Sequence, residues 1–176
     1  HHTDHSKPIQ QTMSAALANR PDTPVNILFL CAHNRVRSLL AEALLNHLGH
    51  GRFKAYSAGI SPDPDGQPHP MTLEALQHAG VPTDGLHSKG WHIFSAPDAP
   101  HMDLVVTVCD ETAGETNPDW PGHPASAHWH YPDPSEVQGD EAAQHHAFQQ
   151  SLHLLGHRMQ MLLSIPPAKL ATAFQP

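Results

Sequence analysis

The hydrophobic pattern of the chain is of two kinds: short continuous apolar runs, and longer segments in which apolar residues recur every three or four positions. Residues 25–30 and 102–108 are nearly continuous runs rich in β-branched side chains. Such runs are typical of strands that are buried on both faces of a parallel sheet. Residues 53–58 and a shorter segment at 127–129 predict two further strands.

Three segments have the spacing of helices. Leucines four positions apart predict a helix over 38–48, and glycines follow it. A second helix is predicted over 70–79, with proline in its first turn, and a long amphipathic helix over about 140–164. Because strands alternate with helices, we expect a doubly wound α/β domain in which right-handed crossovers place helices against a parallel sheet.

Prolines and glycines are concentrated between these segments, so they indicate loops rather than a disordered tract. We therefore expect one domain over residues 25–166, preceded by a flexible arm over 1–24 and followed by a C-terminal tail over 167–176. His1 and His2 suggest the remnant of a purification tag.

Charge and hydropathy exclude several classes of partner. The formal net charge is −8, whereas binding to nucleic acid or to an acidic membrane surface requires a large positive field. No apolar run has the length of a secretory signal or of a membrane span. The two cysteines, Cys31 and Cys109, are therefore expected to be reactive thiols of a cytoplasmic protein rather than a disulfide.

The segment between the first predicted strand and the first predicted helix has the pattern of an anion-binding loop. Cys31 follows the strand, and Arg37 comes after five further residues, next to Ser38. A loop that leads into a helix N-terminus directs several backbone N–H groups and the positive end of the helix dipole at one centre. Arg37 can donate two hydrogen bonds to a phosphate-like ion, while the same field and the Ser38 hydroxyl stabilise a Cys31 thiolate.

The spacing of cysteine and arginine is a weak signal when taken alone, because a cysteine near an arginine is more often a core residue. Its place between a strand and a helix favours a nucleophile. Asn34 is either a simple turn residue or a side chain that braces the loop, and we expect the second. His33 either tunes the thiolate or binds a partner, although such a residue is more often merely exposed.

Four motifs follow one another along the chain: ILFLCAHNRVRS at 27–38 with Ala41-Glu42 after it, YSAG at 56–59, VVTVCD at 105–110, and His128-Trp129 before Pro132-Asp133-Pro134. Together they are specific. The sequence resembles the low-molecular-weight protein tyrosine phosphatase superfamily, and within it the arsenate reductases, over about residues 26–166. The resemblance implies a four-stranded parallel sheet flanked by helices and a catalytic domain over 25–166.

The resemblance also implies the roles of the site residues. Cys31 is expected to be the nucleophile, Arg37 the clamp on the oxyanion, and Asp133 the general acid that protonates the leaving oxygen. Taken without the resemblance, Asp133 before a proline is more often part of a plain turn. The remaining residues of the expected oxyanion-binding loop are Ala32, His33, Asn34, Arg35, Val36 and Ser38.

Cys109 favours a reductase over a phosphatase. Reduction of arsenate to arsenite requires two electrons, which two thiols supply by forming a disulfide, whereas a phosphatase requires one thiol. The resemblance places Cys109 where arsenate reductases have a cysteine that attacks the sulfur of the nucleophile; the alternative is a small apolar side chain at a strand end. Tyrosine phosphatases of this kind usually have tyrosines after the acid, and here Ser135 and Glu136 follow.

The predicted thiol relay is shorter than in many arsenate reductases. These have a further cysteine before a proline, where this chain has Asn117 before Pro118. We therefore predict that an external small thiol such as glutathione or mycothiol, or a glutaredoxin-like protein, completes the cycle, and that no cofactor is tightly bound. The alternative is a protein that binds or senses oxyanions with attenuated turnover.

Two basic residues differ from the usual family pattern. Arg35 stands where small or apolar residues are common, and it either adds positive charge at the mouth of the site or points to solvent. Some arsenate reductases bind potassium near the loop through residues that match Asn34, Glu42 and Ser57. Here Lys89 replaces the acidic partner of that site, so we expect its ammonium to take the place of the cation.

The 18 histidines raise the question of a metal site. His153 and His157 are four positions apart on one face of the last predicted helix, and His146 precedes them. No third-ligand motif accompanies them, so we interpret them as a solvated polar face and expect no metal. The predicted function is thiol-dependent reduction of arsenate, with binding of arsenate or a similar oxyanion and a Cys31 thiol-arsenate intermediate; a phosphatase is the alternative enzyme.

Overall fold

The structure, a computed structural model, describes residues 24–109, 120 and 124–166. These residues form one sheet with the strand order β2-β1-β3-β4, in which every neighbouring pair is parallel. The four-stranded parallel sheet predicted from the sequence is confirmed. Its strands are β1 (Val25–Cys31), β2 (Phe53–Gly59), β3 (Leu104–Cys109) and β4 (Ala125–His130).

The helices lie close to their predicted positions. They are α1 (Arg37–Leu48), α2 (Pro70–His78) and α3 (Glu141–Leu163), and two short 3₁₀ turns occur at Trp91–Phe94 and Pro134–Glu136. None of the described helices is both long and apolar enough to span a bilayer.

Two strands differ from their predicted bounds. The third predicted strand began at residue 102, but β3 begins at Leu104, because the carboxylate of Asp103 accepts a hydrogen bond from the backbone N–H of Asn26 at 2.9 Å. β4 is longer than the predicted segment 127–129. Its exposed polar residues alternate with buried ones, which hides the strand in a search for continuous apolar runs.

The sheet has an apolar core on each face, because successive side chains of a strand point to opposite sides. On one side, α1 and α3 pack over β1 and β3, with Phe29 and Phe148 fully buried between them. On the other side, Leu28 and Leu30 pack with Phe94 and other apolar residues. The sheet is thus covered on both faces, and its carboxyl edge is the place where loops can form a site.

Both cysteines lie at that carboxyl edge. Cys31 is the last residue of β1 and Cys109 the last residue of β3, and the register pairs Leu30 with Thr107 on these adjacent strands. The loop that carries Asn117, most of the predicted N-terminal arm and the predicted tail at 167–176 lie outside the described residues. The predicted domain limits therefore stay a prediction.

Candidate active site

Cys31 lies where the chain leaves the sheet and enters the loop before α1. Only 3% of its surface is exposed, and its Sγ lies 2.8 Å from the Oγ of Ser38 in the first turn of α1. The sulfur is therefore held at the start of a helix, where backbone N–H groups are directed at a bound anion.

Asn34 organises the loop from its interior. Its side chain is fully buried, and its φ of 55° is in the left-handed region, which asparagine adopts more readily than most residues. Its Nδ2 donates to Ser38 Oγ at 2.7 Å and to Ser57 Oγ at 2.9 Å, and its Oδ1 accepts from the backbone N–H of Lys89 at 2.9 Å. Because Ser38 Oγ accepts from Asn34, its own hydroxyl proton is available to Cys31 Sγ.

A cluster of polar side chains, Glu42, Ser57 and Lys89, adjoins Asn34. The Ser57 hydroxyl donates to the Glu42 carboxylate. Lys89 Nζ lies 3.3 Å from Asn34 Oδ1, 3.4 Å from Ser57 Oγ and 3.8 Å from Glu42 Oε1. Burial lowers the pKa of Lys89, and the nearby carboxylate of Glu42 opposes this shift. The lysine ammonium is thus among the same three side chains that the sequence assigned to a cation.

Arg37 connects the loop to the segment that follows β4. It is almost fully buried, and its Nη1 donates to the backbone carbonyl of Tyr131 at 2.9 Å. Its Nη2 lies 3.8 Å from Asp133 Oδ2. A guanidinium that is already held in place loses little conformational freedom when it binds two oxygens of an anion.

Asp133 precedes the 3₁₀ turn at Pro134–Glu136 and caps it. Its Oδ1 accepts from the backbone N–H of Ser135 at 2.9 Å and from the Ser135 hydroxyl at 2.7 Å. The side chain is 18% exposed. Because Ser135 engages Oδ1, the second oxygen, Oδ2, is the one that lies beside Arg37 and is open to a bound molecule.

The rim of the loop is attached to the segment after β2. His33 is exposed, and its Nδ1 is 2.8 Å from the carbonyl oxygen of Ser61. Arg35 Nε donates to the carbonyl of Gln67 at 2.8 Å. A Cβ at Gly59 would lie only 3.0 Å from the carbonyl carbon of His33, so the close contact between strand and loop requires glycine at this position.

Two residues at this rim were not predicted from the sequence. The Thr72 hydroxyl donates to the carbonyl of Arg35 at 2.9 Å, and the backbone N–H of His69 donates to the same carbonyl at 3.1 Å. The His69 ring caps α2, because its Nδ1 accepts from the backbone N–H of Met71 at 3.1 Å. Burial and the charge of Arg35 lower the pKa of His69, while Asp133 acts in the opposite direction. A histidine before a helical proline was the available sequence signal.

The structure brings most of the predicted site residues together, and it leaves some predictions open. Cys31, Arg37 and Asp133 converge with the loop, and Glu42, Ser57 and Lys89 support it. For Cys109 only the backbone position at the end of β3 is described, and Asn117 lies outside the described residues. The role of Cys109 therefore stays a prediction.

The histidines on α3 have no third potential metal ligand beside them among the described residues, and the predicted absence of a metal stays a prediction. His153 and His157 are exposed on one face of the helix. No group of three or more histidine, cysteine, aspartate or glutamate side chains with the geometry of a metal site occurs among residues 24–109, 120 and 124–166. In the described part of the chain these residues belong to a polar helix surface.

The geometry combines a thiol, a ring of hydrogen-bond donors and an acid. Ser38 Oγ lies 2.8 Å from the sulfur, Arg37 supplies a fixed cation, and Asp133 Oδ2 lies 3.8 Å from Arg37 Nη2. Such a site can hold a tetrahedral oxyanion against a nucleophilic sulfur and protonate an oxygen that leaves.

The sequence is similar to a known protein family and to individual proteins of known function. The family profile described as low molecular weight phosphotyrosine protein phosphatase matches residues 26–173. The arsenate reductase of Bacillus subtilis (strain 168) is 31% identical over 134 residues, which cover 76% of this chain and 91% of that protein. The glutaredoxin arsenate reductase of Synechocystis sp. is 26% identical over 108 residues, which cover 61% of this chain and 77% of that protein.

Solved structures share the fold. The crystal structure of arsenate reductase from Archaeoglobus fulgidus DSM 4304 superposes with a TM-score of 0.60 at 26% identity. The match covers 79% of this chain and 99% of that chain. The similarity thus extends over the sheet, the helices and the loop, rather than over one motif.

Proposed function

The chain belongs to the low molecular weight phosphotyrosine protein phosphatase family, and within that family we propose that it is a thiol-dependent arsenate reductase. The observation that carries the proposal is the run of hydrogen bonds from Lys89 through Asn34 and Ser38 to Cys31 Sγ. This run fixes the position of the sulfur at the base of the proposed oxyanion site. The similarity to arsenate reductases over nine tenths of a relative's length supports the choice of substrate.

In the first step of the proposed reaction, Cys31 Sγ attacks the arsenic of bound arsenate. A sulfur–arsenic bond forms, and one arsenate oxygen leaves as water after it receives a proton from Asp133. Arg37 and the loop N–H groups stabilise the charge on the remaining oxygens. Arsenic stays in the pentavalent state, so this step is a substitution and not yet a reduction.

The second step is the reduction. A thiolate, which we assign to Cys109 or to an external thiol, attacks Cys31 Sγ, so that a disulfide forms and the sulfur–arsenic bond breaks. The electron pair of that bond remains on arsenic, which leaves as trivalent arsenite. Two thiols are oxidised for each arsenate. Before the next cycle, one further thiol must reduce a mixed disulfide between Cys31 and the external thiol, whereas a Cys31–Cys109 disulfide needs two.

The site has fewer features of a tyrosine phosphatase. An aryl phosphate needs an apolar wall for its ring beside the acid. Here Ser135 follows Asp133-Pro134 and turns back to hydrogen-bond with the acid itself. The next residue, Glu136, carries a negative charge. The immediate neighbours of the acid thus offer hydrogen bonds and charge rather than an aromatic surface.

We assign the external donor to small thiols such as glutathione or mycothiol, with a glutaredoxin-like protein as a further candidate. Cys31 is 3% exposed, and a small molecule reaches a buried sulfur more readily than the surface of a folded protein does. The similarity to a glutaredoxin arsenate reductase is consistent with this class of donor.

The deciding experiment measures arsenite formed from arsenate with glutathione, in parallel with hydrolysis of p-nitrophenyl phosphate. We expect thiol-dependent arsenite formation that Cys31→Ser abolishes, because a serine hydroxyl has no comparable anionic population at neutral pH. Calorimetry should show that Cys31→Ser still binds arsenate through Arg37 and the loop. Phosphate ester hydrolysis without arsenite would identify a phosphatase, and arsenate binding without either reaction would identify an oxyanion-binding protein.

A further inference from the structure

Arg35 is held at the rim of the catalytic loop at two points. Its carbonyl accepts from Thr72 Oγ1 and from the backbone N–H of His69, and its Nε donates to the carbonyl of Gln67 at 2.8 Å. A guanidinium has five N–H donors, and only one of them is engaged within the described residues. The other four are available to a ligand, on a side chain whose direction is already determined.

The position of Arg35 separates it from the ion-binding interior of the loop. Arg37 is buried and directed inward, to the Tyr131 carbonyl and Asp133. Arg35 is half-buried and directed outward, to the exposed Gln67. Arg35 and Arg37 are two positions apart, but their side chains point in different directions. Arg37 is placed to bind the oxyanion, and Arg35 is placed to bind a molecule that approaches from solvent.

Arg35 belongs to the loop that carries Cys31, and the backbone N–H of His69 donates to its carbonyl at 3.1 Å. Its positive charge acts on His69, and His69 in turn interacts with Asp133. The protein as a whole carries a net charge of −8, which repels an approaching anion. A local cation that still has free donors offsets this repulsion at the entrance to Cys31.

We propose that Arg35 binds a carboxylate of the external thiol that reduces the enzyme, so that the electron donor is a small thiol with at least one carboxylate, which selects glutathione over mycothiol. This inference rests on the proposed reductase function. The carboxylate accepts two hydrogen bonds from the fork of Arg35, and the donor sulfur then lies over Cys31. There it attacks Sγ, forms a mixed disulfide and displaces trivalent arsenite, which keeps the electron pair of the sulfur–arsenic bond.

The test compares two donors of nearly equal size, 3-mercaptopropionate and the uncharged 3-mercaptopropionamide. The measured quantity is the ratio of the two donors' kcat/KM values for arsenite formation. A general effect of the substitution on the loop changes both values equally and cancels in the ratio. The intrinsic difference in reactivity between the two thiols cancels when the ratios of two variants are compared. We expect Arg35→Gln to lower this ratio by about tenfold, the scale of one partly exposed charge-assisted pair. Arg35→Lys should lower it less, because the charge remains.

Arg158→Gln is the matched control. Arg158 is exposed on α3, over the Trp129 ring, and its loss changes the net charge of the protein by the same amount. The ratio of kcat/KM values for the two donors should stay within about twofold of the wild-type ratio in Arg158→Gln, because salt screens the charge of an exposed side chain. An equal fall of the ratio in Arg158→Gln and Arg35→Gln would overturn the proposal, as would an unchanged ratio in Arg35→Gln.

A second measurement does not depend on arsenate. Cys31 is allowed to react with dithiodipropionate or with its diamide, and the mixed disulfide at Cys31 is quantified by peptide mass spectrometry. Each reaction forms one disulfide between Cys31 and half of the reagent, and it releases the other half as a thiolate. Arg35→Gln should lower the preference for the dicarboxylate by about tenfold. If no thiol yields arsenite but Arg35→Gln still lowers the preference for the dicarboxylate, the reductase function fails and the carboxylate site stands. If arsenite forms but wild type and Arg35→Gln have the same preference, the carboxylate site is wrong.

Discussion

At the scale of single residues, the site depends on the direction in which each hydrogen bond donates. Lys89 donates to Asn34, Asn34 donates to Ser38 and Ser57, and this leaves the Ser38 proton for the sulfur of Cys31. Three of these bonds form one path from Lys89 to the sulfur, and the fourth holds Asn34 against Ser57. A Ser38 hydroxyl turned the other way would direct an oxygen lone pair at the sulfur, which is costly for an anion in a buried site.

The first prediction concerns Asp133. Asp133→Asn keeps the shape of the side chain and its cap on Ser135, but the amide has no proton to give to the leaving oxygen. We expect the single-turnover rate of the first step to fall by about 10²–10⁴-fold, with a much smaller change in arsenate affinity. Rapid-quench measurement of the thiol-arsenate adduct tests this directly, since it avoids the later thiol exchange. An adduct that forms at the wild-type rate would exclude Asp133 from the step.

The second prediction concerns the ammonium of Lys89. Lys89→Ala removes the cation near Asn34 and Ser57 and leaves space among oxygen atoms. We expect kcat/KM for arsenate to fall by about tenfold or more, the scale of a lost buried hydrogen bond to a charged group. Potassium should restore part of the activity, because its ion can occupy the vacated place.

The control for this rescue is choline chloride at the same ionic strength, which supplies charge but is too large for the space. Wild-type activity should respond equally to the two salts. Equal responses of Lys89→Ala to potassium and choline would show that Lys89 acts in some other way than as a local cation.

At the scale of secondary-structure elements, the loop is attached on two sides. Arg37 in α1 connects it to the end of β4, and Arg35 connects it to the start of α2 through the turn that His69 caps. These are contacts between elements that are distant in sequence, so the shape of the catalytic loop depends on the docking of α2 and β4. Small changes at the N-terminus of α2 are therefore expected to reach the active site.

The third prediction is a pH dependence that originates at this helix end. Burial lowers the pKa of His69 below 6.5, so the unfolded chain binds more protons than the folded protein between the lowered pKa and about 6.5. Stability therefore falls as the pH drops through this window. Protonation of Nδ1 also removes the acceptor that caps Met71 N–H.

His69→Asn keeps a capping oxygen and removes the titration. We expect its free energy of unfolding to decrease less than that of the wild type between about pH 7.5 and about pH 5.5, as measured by urea denaturation. His153→Asn, at an exposed position of α3, controls for the loss of one imidazole. Equal pH dependence in the wild type and in His69→Asn would remove His69 as the cause.

At the scale of the whole molecule, the proposed redox cycle depends on two thiols and on access to them. Cys31 and Cys109 end adjacent parallel strands, and Cys31 is buried. The sequence holds two cysteines, so the proposed cycle has no third thiol in it to take over an internal disulfide. In this proposal the external donor comes to the site itself.

The fourth prediction follows for protein donors. Thioredoxin with its reductase, as the sole source of electrons, should support much slower arsenite formation than glutathione does, because a folded donor cannot approach a buried sulfur as closely. Asn117→Cys should raise the thioredoxin-dependent rate, since it provides the further thiol of the longer relay. Equal steady-state rates with the two donors in the wild type would contradict the prediction.

The sequence by itself determined the order of strands and helices along the chain and the loop from Cys31 to Arg37, since these depend on local apolar periodicity and on one short motif. The candidate acid, Asp133, came from the resemblance to a known family. The apolar pattern missed the full length of β4, whose exposed positions alternate with buried ones. The resemblance predicted that Lys89 lies near Asn34, 55 positions away, and the structure shows the hydrogen bond between them. Only the tertiary structure decided that Arg37 reaches the Tyr131 carbonyl across 94 positions. It also decided that Arg35 is held at the rim by Gln67. The physical reason is that the hydrogen-bond partners of a side chain depend on which strand ends the crossovers bring together. Local residue preferences do not contain this information about contacts between distant parts of the chain.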